Sequence, residues 1–413
     1  MHSIFTIIRL KFRGSILRFI THPKSSIIKV INLLFYSKEY KIIYDPETIF
    51  PILYKIKDKT WDRVNIPEVF EIRKSGVVFF RHPAQYILNV SNGTVSLHSD
   101  AVITDKGVIW DKIQFDVFTR QEPHDLGMIT YNKHYIRLIK NKTKINLSSP
   151  CLSLLGMCDG AWSHFLIQYM PKLHFAAEAG LLSKKMVVLA PCTMDNHTKN
   201  SIDIFLENYP LAELRIAELG EEYICEVLYH MPMPTLIGGY TEYLNLMDQM
   251  LPERARIALN KHMVLPLKEK SKNQCILNKR IYLIRRDYNR RIMINWKEVE
   301  SYFERLGFLC IEPHKFSLLE KIAIFSNADI VVGPFSSAFS NVLFCKKDVK
   351  IMCLSSFPFA LGDGFISNLA DTVGINKILF VTGEDTEINQ IQTNYHIPLL
   401  KVISAYKYLI DNY

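Results

Sequence analysis

The 413-residue sequence lacks the sequence features that are typical of several protein classes. Its eight cysteines include no Cys-x-x-Cys pair, so a structural zinc site is not expected. Several of these cysteines lie in apolar runs, where a free thiol acts as a small buried hydrophobic group, which favours a reducing, cytoplasmic compartment. No run approaches the ~18–20 apolar residues of a transmembrane helix. We find no nucleic-acid-binding motif, internal repeat or low-complexity tract, so nucleic acid is not expected as a partner.

The first 43 residues differ in composition from the rest of the chain. Eight basic residues between Met1 and Lys41 are accompanied by a single acid, Glu39, and they interrupt many Ile, Leu and Phe residues. These charges break any signal-peptide core. Basic and apolar segments can lie in the headgroup layer of anionic membranes. However, Arg9 and Lys11 fall on opposite sides of a helix, so a plain packing helix is an equal alternative.

Two regions of different pattern follow. From Tyr44 to Pro150, short β-like runs are separated by Asn-Gly, Ser-Asp and Lys-Gly turns, which predicts a meander. From Cys151 to about His262, helix and strand patterns alternate, with one long helix predicted over Ala161–Leu182. We therefore predict a β-elaborated α/β domain over residues 44–265.

A second α/β unit is predicted over residues 280–413, after a lysine-rich segment (His262–Lys279) that has the composition of a linker. Short apolar runs in it alternate with helical patterns. The predicted strands are Ile281–Ile284, Phe308–Ile311, Asp329–Val332 and Val349–Leu354, and the predicted helices are Trp296–Leu306, Ser317–Ser326 and Ser337–Cys345. This alternation is typical of a parallel sheet covered on both faces, which binds ligands beyond the carboxyl ends of its strands.

Two loops at those strand ends carry groups that bind anions. After the first strand come four arginines: Arg285, Arg286, Arg290 and Arg291. After the third strand, Gly333-Pro334-Phe335-Ser336-Ser337 enters a helix. Guanidinium groups and a serine-rich helix N-terminus together predict a phosphate or diphosphate site. The alternatives are that Arg290 and Arg291 face solvent and that Ser336, Ser337 and Ser340 only cap the helix.

An ordered set of motifs resembles glycosyltransferase family 61 over roughly Asp159–Leu354. After the arginine pairs, the set comprises Asn295, Glu298-Val299, Gly307-Phe308, Glu312-Pro313, Ser317-Leu318 and Gly333-Pro334 with Ala338. Upstream, Trp162-Ser163-His164-Phe165 and Pro171-Lys172-Leu173 resemble the aromatic-x-His-aromatic and Pro-x-Leu elements of the family. One departure is that the family usually carries Gly-x-His-Gly after the third strand, where this chain has Phe335-Ser336.

The resemblance implies a GT-B fold, in which two Rossmann-like domains face a cleft. It also implies inverting transfer of a sugar from a nucleotide-activated donor to a saccharide or lipid-linked acceptor, in surface polysaccharide assembly on the cytoplasmic side of the membrane. Donor-binding residues are then expected in the loops of the C-terminal unit: Arg285, Arg286, Arg290, Glu312, Gly333, Ser336, Ser337, Ala338 and Asn341. No Asp-x-Asp-type pair ends a predicted strand, so we expect protein cations to stabilise the diphosphate, without a metal or other cofactor.

The resemblance favours His164 as the general base, with Asp159 as the group that orients it or as the alternative base. On composition alone, His164 could equally be a buried core histidine, and Asp159 only an N-cap. Asn295 and Glu298 are better explained as caps of the helix that begins at Trp296. Two other functions stay open: a non-catalytic scaffold of a polysaccharide assembly machine, and another nucleotide-sugar enzyme such as an epimerase.

Overall fold

The computed structural model describes residues 37–97, 99–111, 128–132, 134–141, 143–156, 160, 162–235, 251–274, 278–286, 291–362, 364–386 and 393–413. Most of the predicted lipid-binding segment (residues 1–36), Asp159 and Arg290 lie outside these residues. The helices of the described part do not include one with the length and hydropathy needed to span a bilayer.

The strands, in chain order, are β1 (Ser37–Ile43), β2 (Ile52–Lys57), β3 (Thr60–Ile66), β4 (Glu68–Val69), β5 (Gly76–His82), β6 (Gln85–Ser96), β7 (Ala101–Thr104), β8 (Gly107–Trp110), β9 (Met128–Tyr131), β10 (Tyr135–Ile139), β11 (Thr143–Leu147), β12 (Cys151–Ser153), β13 (Met186–Pro191), β14 (Ala212–Ala217), β15 (Glu221–His230), β16 (Arg280–Leu283), β17 (Leu309–Ile311), β18 (Ile330–Pro334), β19 (Lys350–Ser355), β20 (Leu379–Thr382), β21 (Glu384–Asp385) and β22 (Tyr395–His396).

The α-helices are α1 (Trp162–Gln168), α2 (Met170–Glu178), α3 (Asn196–Leu206), α4 (Glu253–Leu259), α5 (Leu265–Ser271), α6 (Trp296–Arg305), α7 (Leu318–Asn327), α8 (Phe357–Gly362), α9 (Phe365–Thr372) and α10 (Leu399–Asn412). A π-helical turn (Asn260–Val264) joins α4 to α5, and 3₁₀ turns span Pro46–Thr48, Pro313–Lys315 and Ser337–Phe344. The mixture is an α/β fold, as predicted.

The larger sheet contains both the β-rich part and the first helix-containing part of the chain. Its strand order is β14-β13-β12-β15-β6-β7-β8-β1-β10-β9, with β11 on β15 and β2 on β6. At one end, β12, β13 and β14 are parallel, and β15 continues this arrangement beside β12. From β6 to β8 neighbouring strands are antiparallel, which agrees with the predicted meander.

The smaller sheet has the order β17-β16-β18-β19-β20-β4, and all its pairings are parallel. The four strands predicted here are confirmed as β16 to β19. All five residues of β18 are buried, as expected for a strand covered on both faces. The two-residue strand β4 comes from the N-terminal part of the chain and completes the edge of this sheet beside β20.

Alternate residues of the strands belong to different hydrophobic clusters. In the smaller sheet, Ile281 and Leu283 lie in the largest cluster, whereas Tyr282 lies in the cluster on the opposite face with α6 and α10. The largest cluster also contains Leu152 and Val188 of the larger sheet. One continuous core therefore joins the two sheets and fixes the loops at their strand ends.

Four predictions about local structure are wrong in detail. The long helix expected over Ala161–Leu182 is two helices, α1 and α2, that meet at Tyr169. Pro171 lies in the first turn of α2, where its missing N–H costs nothing, but it could not continue the ladder of α1. The third predicted helix of the C-terminal unit, Ser337–Cys345, is a 3₁₀ helix over Ser337–Phe344.

The Asn92-Gly93 pair is not a turn. Both residues lie inside the 12-residue strand β6, and the register with β15 is unchanged on either side of them, although Asn92 has φ of 52°. The predicted linker is also more ordered than expected: it is helical as far as Ser271, and α5 packs against α7. The division into two domains remains a prediction.

Candidate active site

A cleft of about 360 Å³ lies at the carboxyl ends of three neighbouring parallel strands, β17, β16 and β18. One wall comes from the loops that follow these strands, and the other from the first turns of α1 and α3 on the side of the larger sheet. The lining residues are Trp162, Asp195, His197, Ile284, Arg285, Arg286, Glu312, Pro313, His314, Lys321, Ser336, Ser337, Ala338 and Asn341. Seven of the predicted site residues are thus brought together.

The two arginines after β16 differ in their surroundings. Arg285 is only 7% exposed, and its Nη1 donates to the carbonyl oxygen of Phe335 at 2.6 Å, which ties the loop after β16 to the loop after β18. Arg286 is more exposed, forms an ion pair with the buried Glu300, and stacks 5.1 Å from the ring centroid of Trp296. The hydrogen bond that Arg286 donates to the Glu300 carboxylate raises the pKa of Arg286. Both guanidinium groups remain charged beside the cleft.

The loop after β18 presents buried polar atoms to the cleft. Ser336 precedes the 3₁₀ helix, but its side chain makes no capping hydrogen bond. Within the described residues, Ser336 Oγ and Asn341 Oδ1 are buried without a hydrogen-bond partner, while Asn341 Nδ2 donates to the carbonyl of Ala338 at 2.8 Å. Buried polar atoms are normally hydrogen-bonded, so an unsatisfied pair lining a cleft is suited to a polar ligand.

Gly333 and Phe335 have packing roles. A Cβ on Gly333 would lie 2.7 Å from the backbone oxygen of Leu283 in the neighbouring strand, so only glycine permits this strand spacing. Gly333 is not among the residues that line the cleft. Phe335 packs against Phe359 with ring centroids 4.9 Å apart, and Arg291 lies over the Phe359 ring at 4.7 Å. Phe335 therefore serves as a packing residue in the loop after β18.

Glu312 lies on the wall after β17. Its carboxylate accepts a hydrogen bond from Lys315 at 2.8 Å and lies 3.6 Å from His314. The bond from Lys315 is the main reason that the pKa of Glu312 is lowered. The carboxylate is thus ionised and available to accept hydrogen bonds from ligand hydroxyl groups.

Beside Trp162, the opposite wall contains two residues, Asp195 and His197, that the sequence analysis did not identify. Asp195 caps α3 by accepting a hydrogen bond from the backbone N–H of Thr198 at 2.7 Å. His197 follows in the first turn, with its ring 6.4 Å from that of Trp162, and its Nδ1 is buried without a hydrogen-bond partner in the described part of the chain. Burial, and then the charge of Lys321, lower the pKa of His197, which favours a neutral imidazole.

Lys321 is a further cleft residue that sequence reasoning missed. It is only 2% exposed, in the first turn of α7, and its Nζ lies 4.6 Å from the ring centroid of Trp162. Burial lowers its pKa to about 8, although Asp195 acts in the opposite direction. A signal was present: Lys321 shares a helical face with Leu318 and Phe325, which are buried, and a lysine on a buried face needs an anionic or aromatic partner.

His164 lies in α1, two residues after Trp162, which lines the cleft. It is partly buried, and its Nδ1 lies 3.1 Å from Oε1 of Gln168. Burial lowers its pKa, so the ring is neutral near pH 7. The residue does not line the cleft itself, and its predicted catalytic role stays a prediction. Asn295 occupies the N-cap position of α6 but makes no side-chain capping hydrogen bond. Its side chain instead bonds the backbone of Ile397 through Nδ2 (2.8 Å) and Oδ1 (3.3 Å), and Nδ2 also donates to Glu298 Oε2 at 3.1 Å.

A parallel α/β sheet with cations and unsatisfied polar atoms at its strand ends is typical of enzymes that bind phosphorylated ligands. The family model Glycosyltransferase 61 matches residues 162–352, a range that includes every residue that lines the cleft. The chain is therefore a glycosyltransferase, and it belongs to family 61 through this segment. A comparison with the sequences of curated proteins finds no match to this chain.

Proposed function

We propose that the protein transfers a sugar, with inversion at the anomeric carbon, from a nucleotide-activated donor to a saccharide acceptor in surface polysaccharide assembly. The observation that carries the proposal is the concentration of three cations, Arg285, Arg286 and Lys321, around a cleft of about 360 Å³. A volume of this size accommodates a small organic ligand. Their positive charges suit a diphosphate, because guanidinium and ammonium groups are the usual protein partners of phosphate oxygens.

The donor diphosphate is placed between the arginine loop and the N-terminus of the 3₁₀ helix. Guanidinium groups bind phosphate oxygens through paired hydrogen bonds, and backbone N–H groups at a helix N-terminus add a second set of donors. Ser336 Oγ can donate to the same oxygens. Glu312 and Asn341 Oδ1 are acceptors, so they suit the sugar hydroxyl groups or the N–H groups of a base.

The acceptor is placed on the opposite wall, at the ends of β12 and β13. This placement supports a GT-B arrangement, because two sets of parallel strands direct their carboxyl ends toward one cleft. Catalysis requires a base on this wall. His164, the residue matched by the family motif, and His197, which lines the cleft, are both imidazoles whose pKa is lowered by burial.

In the proposed reaction the acceptor hydroxyl oxygen attacks the anomeric carbon and its proton passes to the imidazole nitrogen. The bond between the anomeric carbon and the diphosphate oxygen breaks, and its electron pair leaves with the nucleoside diphosphate. Arg285, Arg286 and Lys321 stabilise that developing negative charge, which is the largest electrostatic demand of the transition state. The chemistry is assigned to the cytoplasmic face of the membrane, where activated sugars and lipid-linked acceptors would meet.

The test is a thermal-shift screen of the full chain against nucleoside diphosphates and nucleotide sugars, followed by turnover with the stabilising donor and saccharide or lipid-linked acceptors. A ligand at about 100 times its Kd should stabilise the folded state by about 2.7 kcal/mol. The exchange Lys321→Met should reduce this shift by half or more, whereas the exposed Lys184→Met should retain it. No shift with any phosphorylated ligand contradicts the proposal.

The two other functions give different results in the same assay. A non-catalytic scaffold would bind a nucleotide sugar without releasing the nucleoside diphosphate, with or without an acceptor. An epimerase would interconvert nucleotide sugars without any acceptor. Acceptor-dependent release of the nucleoside diphosphate distinguishes the proposed transferase from both.

A further inference from the structure

An exposed face outside the cleft lies on the two-stranded sheet formed by β3 and β5, here named the β3–β5 ribbon. Register pairs Trp61 with Arg81 and Arg63 with Phe79. Since paired residues point to the same side of a sheet, these four side chains share one face. Asp62, Phe80 and His82 alternate with them and are buried on the other face.

The outer face of the ribbon is strongly apolar for an exposed surface. Trp61 is 64% exposed and Phe79 is 61% exposed, and Val77 continues the row. The other residues of this face are Arg63, Arg81 and Asn65, so the face has two positive charges and no negative charge. Large exposed aromatic side chains at diagonal positions of one sheet face indicate an interaction surface.

The face continues into a second cavity of about 360 Å³. Arg63 and Asn65 line this cavity together with Lys261 and with two exposed apolar residues, Ile257 and Leu265. The ribbon and the helical segment from α4 to α5 thus form one surface, in which three basic and two acidic residues line the cavity and exposed apolar side chains lie beside them. The full set of lining residues is Arg63, Asn65, Glu253, Arg256, Ile257, Asn260, Lys261, Leu265, Asp371 and Thr372.

Buried polar contacts hold this surface in place. Asp371, in α9, accepts hydrogen bonds from the backbone N–H of Asn65 at 3.0 Å and from its Nδ2 at 2.7 Å. The same carboxylate pairs with Arg256 Nη1 at 2.9 Å, and Arg256 Nη2 donates to the carbonyl oxygen of Arg63 at 2.8 Å. Asp371, one of the two acids that line the cavity, is therefore already engaged, and the orientation of the ribbon relative to α4 is fixed.

We propose that this surface binds an anionic phospholipid bilayer, with headgroup phosphates at Arg63, Arg81 and Lys261 and with Trp61 and Phe79 inserted at the interface. Aromatic rings prefer the headgroup level of a bilayer, and basic residues beside them are attracted to anionic lipids. The charge pattern selects this occupant, since the ribbon face has cations without acids and the whole chain has a net charge of +9. Residues 1–36, with six basic residues and no acid, would add to the same attraction.

The first test follows Trp61 directly, so it does not depend on what residues 1–36 do. The full chain is mixed with vesicles of phosphatidylcholine and phosphatidylglycerol that carry brominated acyl chains, which quench tryptophan fluorescence on contact. The Trp61→Phe variant keeps an aromatic ring and removes the reporter, leaving Trp110, Trp162 and Trp296. Quenching in the unmodified chain that is lost in Trp61→Phe supports the proposal, and equal quenching in both overturns it.

The second test measures co-sedimentation of the full chain with the same vesicles and with phosphatidylcholine vesicles alone. Arg63→Gln with Arg81→Gln should weaken binding to the anionic vesicles by about thirtyfold, from the usual attraction of two basic residues to such a surface. The double variant Lys184→Gln with Lys185→Gln, which changes two exposed lysines, is the matched charge control and should change vesicle binding little. Equal losses in the two double variants, or equal binding to neutral vesicles, would overturn the assignment to anionic lipid.

The same surface could instead pair with a second copy of this chain. The Trp61→Ser and Phe79→Ser double variant separates these outcomes, because it removes the apolar part of either contact. A loss of vesicle binding with unchanged elution in size-exclusion chromatography supports the lipid surface. A shift from dimer to monomer with unchanged vesicle binding overturns it.

Discussion

The ammonium group of Lys321 lies 4.6 Å from the centroid of the Trp162 indole ring. The two residues come from opposite walls of the cleft, since Trp162 begins α1 and Lys321 lies in the first turn of α7. A cation over an indole face is attracted by the ring, by about 2 kcal/mol or more when both are removed from water. The contact therefore joins the two walls at the site where the diphosphate is proposed to bind.

The first prediction concerns the pH dependence of nucleotide binding. Burial lowers the pKa of Lys321 to about 8, so the residue is charged below this pH and neutral above it. Affinity for a nucleoside diphosphate should be greatest below pH 8 and should fall as the pH rises through 8, by up to about tenfold per pH unit. Isothermal titration calorimetry across this range measures the effect.

The variant Lys321→Met should bind a nucleoside diphosphate more weakly, by about 1.5–3 kcal/mol, because a charge-assisted hydrogen bond is lost. The affinity of this variant should also no longer decrease as the pH rises through 8. Lys184→Met, which changes an exposed lysine far from the cleft, is the control. If the variant binds as tightly as the unmodified chain at every pH, Lys321 is not part of the donor site.

The second prediction separates the two roles of Arg286. Arg286→Ala should weaken binding of the diphosphate by about 1.5–3 kcal/mol. It also leaves the buried Glu300 without its partner, so a lower melting temperature alone is no evidence of a binding role. Glu300→Gln keeps the guanidinium and frees it from the ion pair, so this variant should bind at least as tightly as the unmodified chain. Equal losses of affinity in the two variants would indicate that Arg286 only supports the fold.

The third prediction identifies the base. His164→Ala and His197→Ala are compared for turnover, with nucleotide binding and melting temperature verified as intact. Removal of a positioned base should lower kcat by about 10²–10⁴-fold while leaving donor affinity unchanged. We expect this loss in one of the two variants. Near-normal turnover in both variants would show that another group accepts the proton. The candidates are then Asp195, which lines the cleft, and Asp159, the alternative base predicted from the sequence.

The fourth prediction tests the packing role of Gly333. A methyl group there would lie 2.7 Å from the backbone oxygen and the Cβ of Leu283, so Gly333→Ala should force β16 and β18 apart and lower the melting temperature. Gly76→Ala is the control, since its added carbon would meet only Ile66 side-chain atoms at 3.5 Å. Equal melting temperatures for the two variants would contradict this assignment.

The C-terminal sheet was predictable because its strands are apolar at nearly every position, a pattern that parallel strands show when both faces are covered. The arginine and serine loops could be placed at one edge of it for the same reason. The partners of those side chains could not be predicted. That Arg285 donates to Phe335, or that Arg286 pairs with Glu300, depends on side-chain positions that no local pattern encodes.

Asp195 and His197, which lie on the same wall as Trp162, were missed because they carry no local signature of binding. Asp195 reads as an ordinary helix cap, which it also is, and His197 as a polar residue in a first turn. Their relation to Lys321 depends on the packing of two sheets through one core, so it appears only in three dimensions. The sequence analysis treats Phe335 as a departure from the family pattern, but its packing against Phe359 was not predictable.

The pairing of β4 with β20 has a consequence for any attempt to separate the two halves of the chain. Glu68 and Val69 form the last strand of the C-terminal sheet, and the Glu68 carboxylate accepts hydrogen bonds from the hydroxyl groups of Tyr408 (2.9 Å) and Tyr413 (3.1 Å). A fragment of residues 280–413 would lose this strand and expose the backbone N–H and C=O groups along β20. Exposed edges of this kind recruit other chains. The C-terminal half expressed alone should therefore aggregate, and a peptide containing Glu68 and Val69 should suppress that aggregation by restoring the edge.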